Sequence, residues 1–256
     1  MAQVSSQGTG AQRTPRPGSR KPRARPRGRA DGEASRARLL EAAGKLFAEQ
    51  GYASVSTRAL AKAGKANLSA IGYHFGGKEG LYREVLRQLL ADTEPMLHPA
   101  IERLDAGVVA AGGDRARLAR LMTGFLHGLI GAVLGNERMR WQVQLMLREF
   151  HQPSKFFPML LEERIHPLHN AVARLIGAAT GRDPEAAETR LLTATVIGQC
   201  MVMGAARRVV CARLGWDDYT PERVEFIART ITPAVLSMFG LPTVEGAEGD
   251  AEGEGP

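Results

Sequence analysis

Four basic side chains cluster in a short interval of this sequence: Arg58, Lys62, Lys65 and Lys78. Residues 34–90 as a whole carry nine Lys or Arg and four Asp or Glu. Cations that lie along helices and turns bind the phosphates of a polyanion such as nucleic acid. The chemistry that this interval favours is therefore anion binding.

The sequence offers no matching catalytic set. It lacks a Walker A loop, a nucleophile elbow and a dinucleotide fingerprint, so we predict no enzyme and no cofactor. Glu162, His166 and His169 recur at helical spacing and could hold a metal. Pro167 interrupts that helix and nothing completes the ligand set, so we favour a solvated polar face and predict no metal site.

The net charge of +7 is unevenly distributed along the chain. Residues 1–30 contain eight Lys or Arg and no acid, whereas residues 245–256 contain five acids and no base. Both segments are poor in large apolar side chains, which predicts a disordered basic arm over 1–33 and a disordered acidic tail over 243–256. The arm either lies along DNA phosphates or is a solvated tail.

Between these tails the apolar residues recur at helical spacing, with almost no strand pattern, which predicts an all-α fold of about nine helices. The first four are predicted over 35–50, 57–63, 67–74 and 78–104. Ser56 is the expected N-cap of the second helix, and Pro95 and Pro99 should kink the fourth or end it early. The later helices are predicted over 114–134, 137–150, 154–180, 184–214 and 221–239.

The order of short helix, tight glycine-containing turn and short helix is that of a helix-turn-helix, whose second helix reads the DNA major groove. The residues around this turn are specific: GY at 51–52, STRALA at 56–61 and NLSAIGYHFGGKEGLY at 67–82. Together with the first helix, this pattern closely resembles the N-terminal domain of TetR-family transcriptional regulators over about 50 residues. The helix-turn-helix domain is predicted over 34–82.

The resemblance implies contacts to double-stranded DNA from the start of the second helix, from the recognition helix and from the lysine that opens the fourth helix. The residues at these positions are Thr57, Arg58, Ser69, Ala70, Tyr73, His74 and Lys78. From the residues alone, Tyr73 could instead pack between helices and His74 could be a plain surface histidine. Leu60, Ile71 and Phe75 are expected in the core.

Two positions depart from the family pattern. Lys65 stands at the turn position where a glycine is expected, with Gly64 one place earlier. A lysine at positive φ costs about 1 kcal/mol, so either the turn shifts or Lys65 tolerates the strain and gains a phosphate contact. Gly72 replaces a larger residue and weakens the recognition helix by about 1 kcal/mol. Both departures bear on which operator is read.

The segment over 141–157 is similar to the CecR-like subgroup of this family. The resemblance implies that residues 83–242 form a helical domain that binds a small-molecule effector and makes a homodimer. We therefore predict a ligand-responsive transcriptional regulator, a repressor that a small molecule releases from its operator. A transcriptional activator and a nonspecific architectural DNA-binding protein are the alternatives.

Apolar residues on the last two long helices exceed what one small core needs, which predicts a four-helix bundle between two copies. They are Leu191, Leu192, Val196, Ile197, Met201, Val202, Val209, Val224, Ile227, Ile231, Val235 and Met238. The alternative is that they pack only within one subunit.

The effector-binding residues are not assigned from the sequence, because Met and aromatic side chains at helical spacing can equally be plain core. The candidates for an apolar cavity are Met122, Phe125, Trp141, Met146, Phe150, Phe156, Phe157 and Met159.

The lengths of the apolar and uncharged stretches indicate the compartment. The first 30 residues lack the apolar stretch of a secretory signal, and the longest uncharged runs have sixteen residues, fewer than the roughly 20 that span a membrane. We expect a cytoplasmic protein with no membrane partner.

Cys200 and Cys211 fall on one predicted helix about 16 Å apart, too far for a disulfide, so both are expected to be buried thiols.

Overall fold

The computed structural model describes residues 27–135 and 139–244, with side chains from residue 32 onward. This part of the chain is all-α, and its eleven α-helices are α1 (Arg27–Gln50), α2 (Thr57–Ala63), α3 (Leu68–Phe75), α4 (Lys78–Ala111), α5 (Arg115–Leu134), α6 (Arg140–His151), α7 (Phe157–Leu160), α8 (His166–Thr180), α9 (Ala187–Ala205), α10 (Arg207–Leu214) and α11 (Pro221–Met238). A π-helical turn, Leu161–Ile165, joins α7 to α8. The predicted arm up to residue 26 and the tail from residue 245 lie outside the described residues.

The predicted helix boundaries need correction at the N-terminal side. Helix α1 begins at Arg27 rather than at residue 35, so residues 27–33 are helical and not part of a disordered arm. Residues 27–33 include Gly28 and Gly32, which are poor helix formers, so local propensity alone does not predict this extension. Helix α4 was expected to end near residue 104, but it passes both internal prolines and ends at Ala111. Each proline removes only one backbone hydrogen bond, and packing of α4 on α5 and α8 compensates.

Two long predicted helices are in fact divided. The segment predicted over 154–180 is split into α7, the π-helical turn and α8. The helix predicted over 184–214 begins only at Ala187, because the Asp183 carboxylate accepts a hydrogen bond from the backbone N–H of Glu185 and forms a turn. This helix also breaks at Ala206, so Cys200 lies on α9 and Cys211 on α10 rather than on one helix. Both are buried free thiols, and burial raises the pKa of Cys200 to about 12.

The buried side chains form two cores. The N-terminal core joins α1 to α4, and its largest members include Leu39, Phe47 and Leu60, which are fully buried. Burial of each such side chain contributes roughly 1.5–3 kcal/mol. This core continues along α4 to Leu90 and takes in side chains from α6 and α7. The N-terminal half, for which DNA binding is predicted, therefore packs directly against the rest of the chain.

The C-terminal core is centred on α5, which packs on α4, α8, α9 and α11. Helix α5 is the one helix in the described ranges that is long and apolar enough to span a membrane. However, 44% of its apolar stretch is buried inside the protein. Leu118, Met122, Leu126 and Ile130 on α5 are fully buried. The apolar character of α5 is therefore accounted for by its place in the core.

Candidate nucleic-acid interface and effector cavity

Helix α2 presents one buried face and one charged face. The hydroxyl of Ser56 accepts a hydrogen bond from the backbone N–H of Ala59 at 3.1 Å, which confirms the predicted N-cap. Leu60 is fully buried against the N-terminal core. Arg58 and Lys62 point to solvent on the other face. The helix is thus held by its cap and its apolar side, which leaves its cations available.

The turn between α2 and α3 keeps its family register, with Lys65 in the left-handed region at φ 48°. Gly64 has an ordinary φ of −77°, so it does not supply the positive φ of the turn. A Cβ at Gly64 would lie 2.6 Å from Cδ2 of Leu39, which explains why this position is a glycine. Gly64 is needed for close packing against Leu39, and the strained backbone conformation of the turn is adopted by Lys65.

Helix α3 is anchored by Ile71 and Phe75, which are both buried as predicted. Its outer face carries Ser69 and Tyr73, and Tyr73 is 86% exposed. That exposure rules out the alternative in which Tyr73 packs between helices. The His74 ring is half-buried with its centroid 5.0 Å from that of Tyr73. An exposed tyrosine on a recognition helix is suited to contact DNA.

The connection from α3 to α4 depends on glycines. Gly76 and Gly77 have φ of 72° and 120°, which side chains rarely adopt. A Cβ at Gly80 would lie 1.7 Å from the backbone oxygen of Phe75, so the end of α3 touches the first turn of α4. Lys78 opens α4 with Nζ 4.5 Å from the ring centroid of Tyr52. These contacts fix the orientation of α3.

Three cations on this surface lack local partners. Arg58, Lys62 and Lys65 are exposed and make no side-chain hydrogen bond or ion pair within the described part of the chain. Of the seven predicted DNA-binding residues, Arg58, Ser69 and Tyr73 are exposed, whereas the others are half-buried at the same helix-turn-helix surface. The half-buried ones are Thr57, Ala70, His74 and Lys78. Free cations and polar groups on one surface are what phosphate binding requires.

Helix α6 connects the N-terminal half of the chain, which contains the helix-turn-helix, to the C-terminal half. The guanidinium of Arg148 donates hydrogen bonds to the carbonyl oxygens of Ala48 at 3.1 Å and Glu49 at 2.8 Å, at the carboxyl end of α1. A cation at this end of a helix complements its dipole. Trp141 packs over Gly44 so closely that a Cβ at that glycine would lie 2.5 Å from the indole ring. Sequence reasoning did not identify this junction.

An apolar cavity of about 150 Å³ lies on the other side of α6, lined by side chains of α4, α5, α6, α8 and α9. Of the predicted cavity residues, Met146 and Phe150 line it, and Phe125 lines an adjoining cavity of about 310 Å³. Met122 is buried in the core, and Trp141, Phe156 and Met159 pack on the N-terminal core instead. Phe157 contacts Phe150 with ring centroids 6.5 Å apart.

The polar lining of the smaller cavity was not predicted from the sequence. It consists of Thr93, Gln142, Arg164 and His169. Burial, and then the neighbouring charge of His166, lowers the pKa of His169, which favours its neutral form. Within the described ranges, no three His, Cys, Asp or Glu side chains are grouped as a metal site would need.

Known families match this chain in two separate blocks. Bacterial regulatory proteins of the tetR family match residues 39–85, and the C-terminal domain of the HTH-type transcriptional dual regulator CecR matches residues 118–240. The chain is a CecR-like regulator of the TetR family. DNA-binding transcriptional regulation is therefore its activity, and its family and relatives are regulators, not enzymes.

Individual relatives agree with this assignment. The HTH-type transcriptional dual regulator CecR of Shigella flexneri is 28% identical over 211 residues, which cover 82% of this chain and 94% of the relative. A TetR-like transcriptional regulator from Rhodococcus sp. RHA1 has a TM-score of 0.52 at 17% identity, over 79% of this chain and 96% of that one. AibR in complex with isovaleryl coenzyme A and operator DNA has a TM-score of 0.50 at 16% identity, over 78% and 97%. These two structures share the fold of the TetR-family regulator described here.

Proposed function

We propose that this TetR-family regulator binds an operator as a cytoplasmic homodimer and represses transcription until a small molecule releases it. The observation that carries the DNA-binding site is the set of unpaired cations beside the exposed Tyr73. We assign DNA contacts to the seven residues predicted from the sequence, on a domain over 34–82. Lys78 supplies its charge from the start of α4, where free backbone N–H groups also favour a phosphate.

The proposed dimer uses the outer faces of α9 and α11. Five of the twelve residues in the predicted apolar stripe are buried within the subunit, as for Val196 and Val235. Leu191 and Val202 on α9 are exposed, as are Phe226 and Met238 on α11. Both helices pack on α5 in the C-terminal domain, which we assign to residues 83–242. Pairing two copies there would cover the apolar side chains and present two recognition helices to a palindromic operator.

The proposed control by an effector is based on the position of α6 between the cavity and the end of α1. The same helix lines the apolar cavity through Met146 and holds the end of α1 through Arg148. A ligand that binds better when α6 is displaced would shift the population towards a spacing of the recognition helices that no longer fits the operator. AibR, which has this fold, holds both a coenzyme A ester and operator DNA, and so supports a regulator with two such sites.

A footprint on the DNA beside the chain's own gene tests the assigned interface. Arg58→Ala and Tyr73→Ala should each weaken protection about tenfold, since each removes one contact to the operator. Arg182→Ala, an exposed arginine in the turn after α8, is the matched control and should leave protection unchanged. An unchanged footprint in both test variants would refute the assigned site.

The dimer and the architectural alternative need separate measurements. Leu191→Glu should give monomers by light scattering, whereas Val109→Glu, on a side chain that is 82% exposed on α4, should not. Deletion of residues 1–26 separates a sequence-specific regulator from an architectural protein that binds through its arm. Sequence discrimination that survives the deletion supports the regulator, and its loss supports the architectural alternative.

A further inference from the structure

Arg164 is a buried cation without an ion-pair partner. The π-helical turn between α7 and α8 holds its side chain inward, where the residue is 9% exposed. Its Nη2 donates hydrogen bonds to the Leu90 carbonyl oxygen at 2.9 Å and to the Thr93 hydroxyl. Among the described residues, no carboxylate oxygen lies within 4 Å of the guanidinium, so the negative charge of Glu94 acts on Arg164 only from a longer distance, and Nε and Nη1 have no acceptor. A buried charge of this kind is costly unless something pairs with it.

A second polar group at the same cavity also lacks a partner. The amide nitrogen of Gln142 donates a hydrogen bond to Asp92 at 2.8 Å, which fixes the orientation of the side chain. Its oxygen Oε1 is fully buried and accepts no hydrogen bond from any described residue. Gln142 itself is 5% exposed. The unused donors that the cavity offers are therefore those of Arg164, and the buried oxygen of Gln142 beside it is a second polar group that is costly to leave without a partner.

Apart from Thr93 and His169, the remaining lining of the cavity is apolar. A volume of about 150 Å³ accommodates roughly one aromatic ring or a short alkyl chain. The cavity shares Met96, Leu97 and Leu129 with the adjoining space of about 310 Å³ between α4 and α5. Gly124 and Gly128 line that adjoining space, and a Cβ on either would meet nothing within 4 Å. An apolar chain that starts beside Arg164 can therefore continue along α5.

From this arrangement we propose that the effector is an amphipathic organic acid. Its carboxylate pairs with Arg164 and its apolar body fills the two adjoining cavities. A carboxylate supplies the acceptors that Nε and Nη1 lack and neutralises the buried charge, whereas an uncharged polar group does only the first. The inference rests on the proposed function, because it names the chemical class of the ligand that would release the regulator.

The test compares matched acids and amides, without DNA, on the purified full chain. Calorimetric titration uses straight-chain carboxylates of about six to twelve carbons, such as octanoate, and the amide of each. At least one acid should bind about tenfold or more tighter than its amide, because only the acid forms a charge-assisted pair. Equal affinity of acid and amide across the series, or no binding by any acid at millimolar concentration, would overturn the proposal.

Variants then locate the site. Arg164→Met keeps the length of the side chain and removes the charge, so the preference for acid over amide should disappear, while Arg164→Lys should retain part of it. Arg182→Met is the control and should keep the full preference. If Arg164→Met fails to fold by circular dichroism, the comparison of acid and amide on the unaltered chain still decides. If the chain binds acids more tightly than amides but protects no operator DNA in a footprint, the proposed function alone is refuted. If it protects operator DNA but binds acids and amides equally, this inference alone is refuted.

Discussion

The phenol of Tyr82 on α4 donates a hydrogen bond to the carboxylate of Glu149 on α6, at the boundary between the two cores. Glu149 is 1% exposed, and its other oxygen accepts hydrogen bonds from the backbone N–H and the hydroxyl of Ser154, at 3.1 and 3.0 Å. Burial, together with the hydrogen bond to Glu149, raises the pKa of Tyr82, so the phenol remains a donor. This buried polar contact ties the DNA-binding half to the helix that lines the cavity.

Removing this donor should cost stability without disturbing the packing. Tyr82→Phe keeps the edge contact to Phe47, whose ring centroid lies 4.8 Å away, but leaves the buried Glu149 one hydrogen bond short. We expect a loss of about 1–3 kcal/mol in the free energy of unfolding, measured by urea titration. Tyr73→Phe, on the exposed tyrosine, is the control and should change it by less than about 0.5 kcal/mol. Equal effects of the two variants would contradict a role for the Tyr82 hydroxyl.

The same contact predicts a loss of stability in alkali. Because the pKa of Tyr82 is higher in the folded chain than in the unfolded chain, the contribution is complete below the unfolded pKa of about 10. Above that pH the unfolded chain loses this proton first, so stability falls as pH rises towards the folded pKa. The expected observation is a steeper fall in the free energy of unfolding above about pH 10 for the parent chain than for Tyr82→Phe. Parallel curves would show that Tyr82 does not contribute.

Two glycines near the recognition helix should respond oppositely to alanine. Gly80→Ala places a Cβ against the backbone oxygen of Phe75, which cannot move without displacing α3, so we expect a loss of about 3 kcal/mol or more. Gly72→Ala adds a Cβ to an exposed face of α3 with nothing within 4 Å, and should gain about 0.5–1 kcal/mol. Thermal unfolding of both variants measures the difference. A gain for Gly80→Ala would show that α3 and α4 are not in contact there.

The strained lysine in the turn can be separated from its neighbour on α2. Lys65→Gly relieves the left-handed backbone conformation and should stabilise the chain by about 0.5–1 kcal/mol. Lys62→Gly places a glycine within a helix and should cost about 1 kcal/mol. Both variants lose one exposed cation, so both should bind the operator more weakly at low salt. Stability changes of the same sign would mean that Lys65 is not strained.

What the sequence predicts here depends on how local the physical cause is. The Ser56 cap and the buried positions of Leu60, Ile71 and Phe75 follow from residues a few places apart, and all of them are confirmed. The choice between a shifted turn and a strained Lys65 could not be made, because it depends on the packing of Gly64 against Leu39 on another helix.

The lining of the cavity also depends on packing between distant helices, and it was predicted even less well. Arg164 looks like one of several surface charges in a predicted helix over 154–180, and only the π-helical turn directs it inward. Its hydrogen bonds to α4 connect residues more than 70 positions apart. The aromatic and Met candidates were likewise divided between cavity and core by the packing of α6 between two cores. Such placements arise from tertiary contacts, which periodicity does not encode.

The basic arm provides the last prediction. Residues 1–26 carry six Lys or Arg and no acid. If they bind DNA phosphates, deleting them should reduce the salt dependence of operator binding, by about 0.9 in the slope of log affinity against log salt for each phosphate that the arm neutralises. Deleting residues 245–256 is the matched control, since it removes a charged segment that has no base and should leave the slope unchanged. The measurement is fluorescence anisotropy on a labelled operator between about 50 and 200 mM salt. An unchanged slope after deletion of residues 1–26 would show that the arm binds no phosphate, and that residues after position 26 supply the electrostatic attraction.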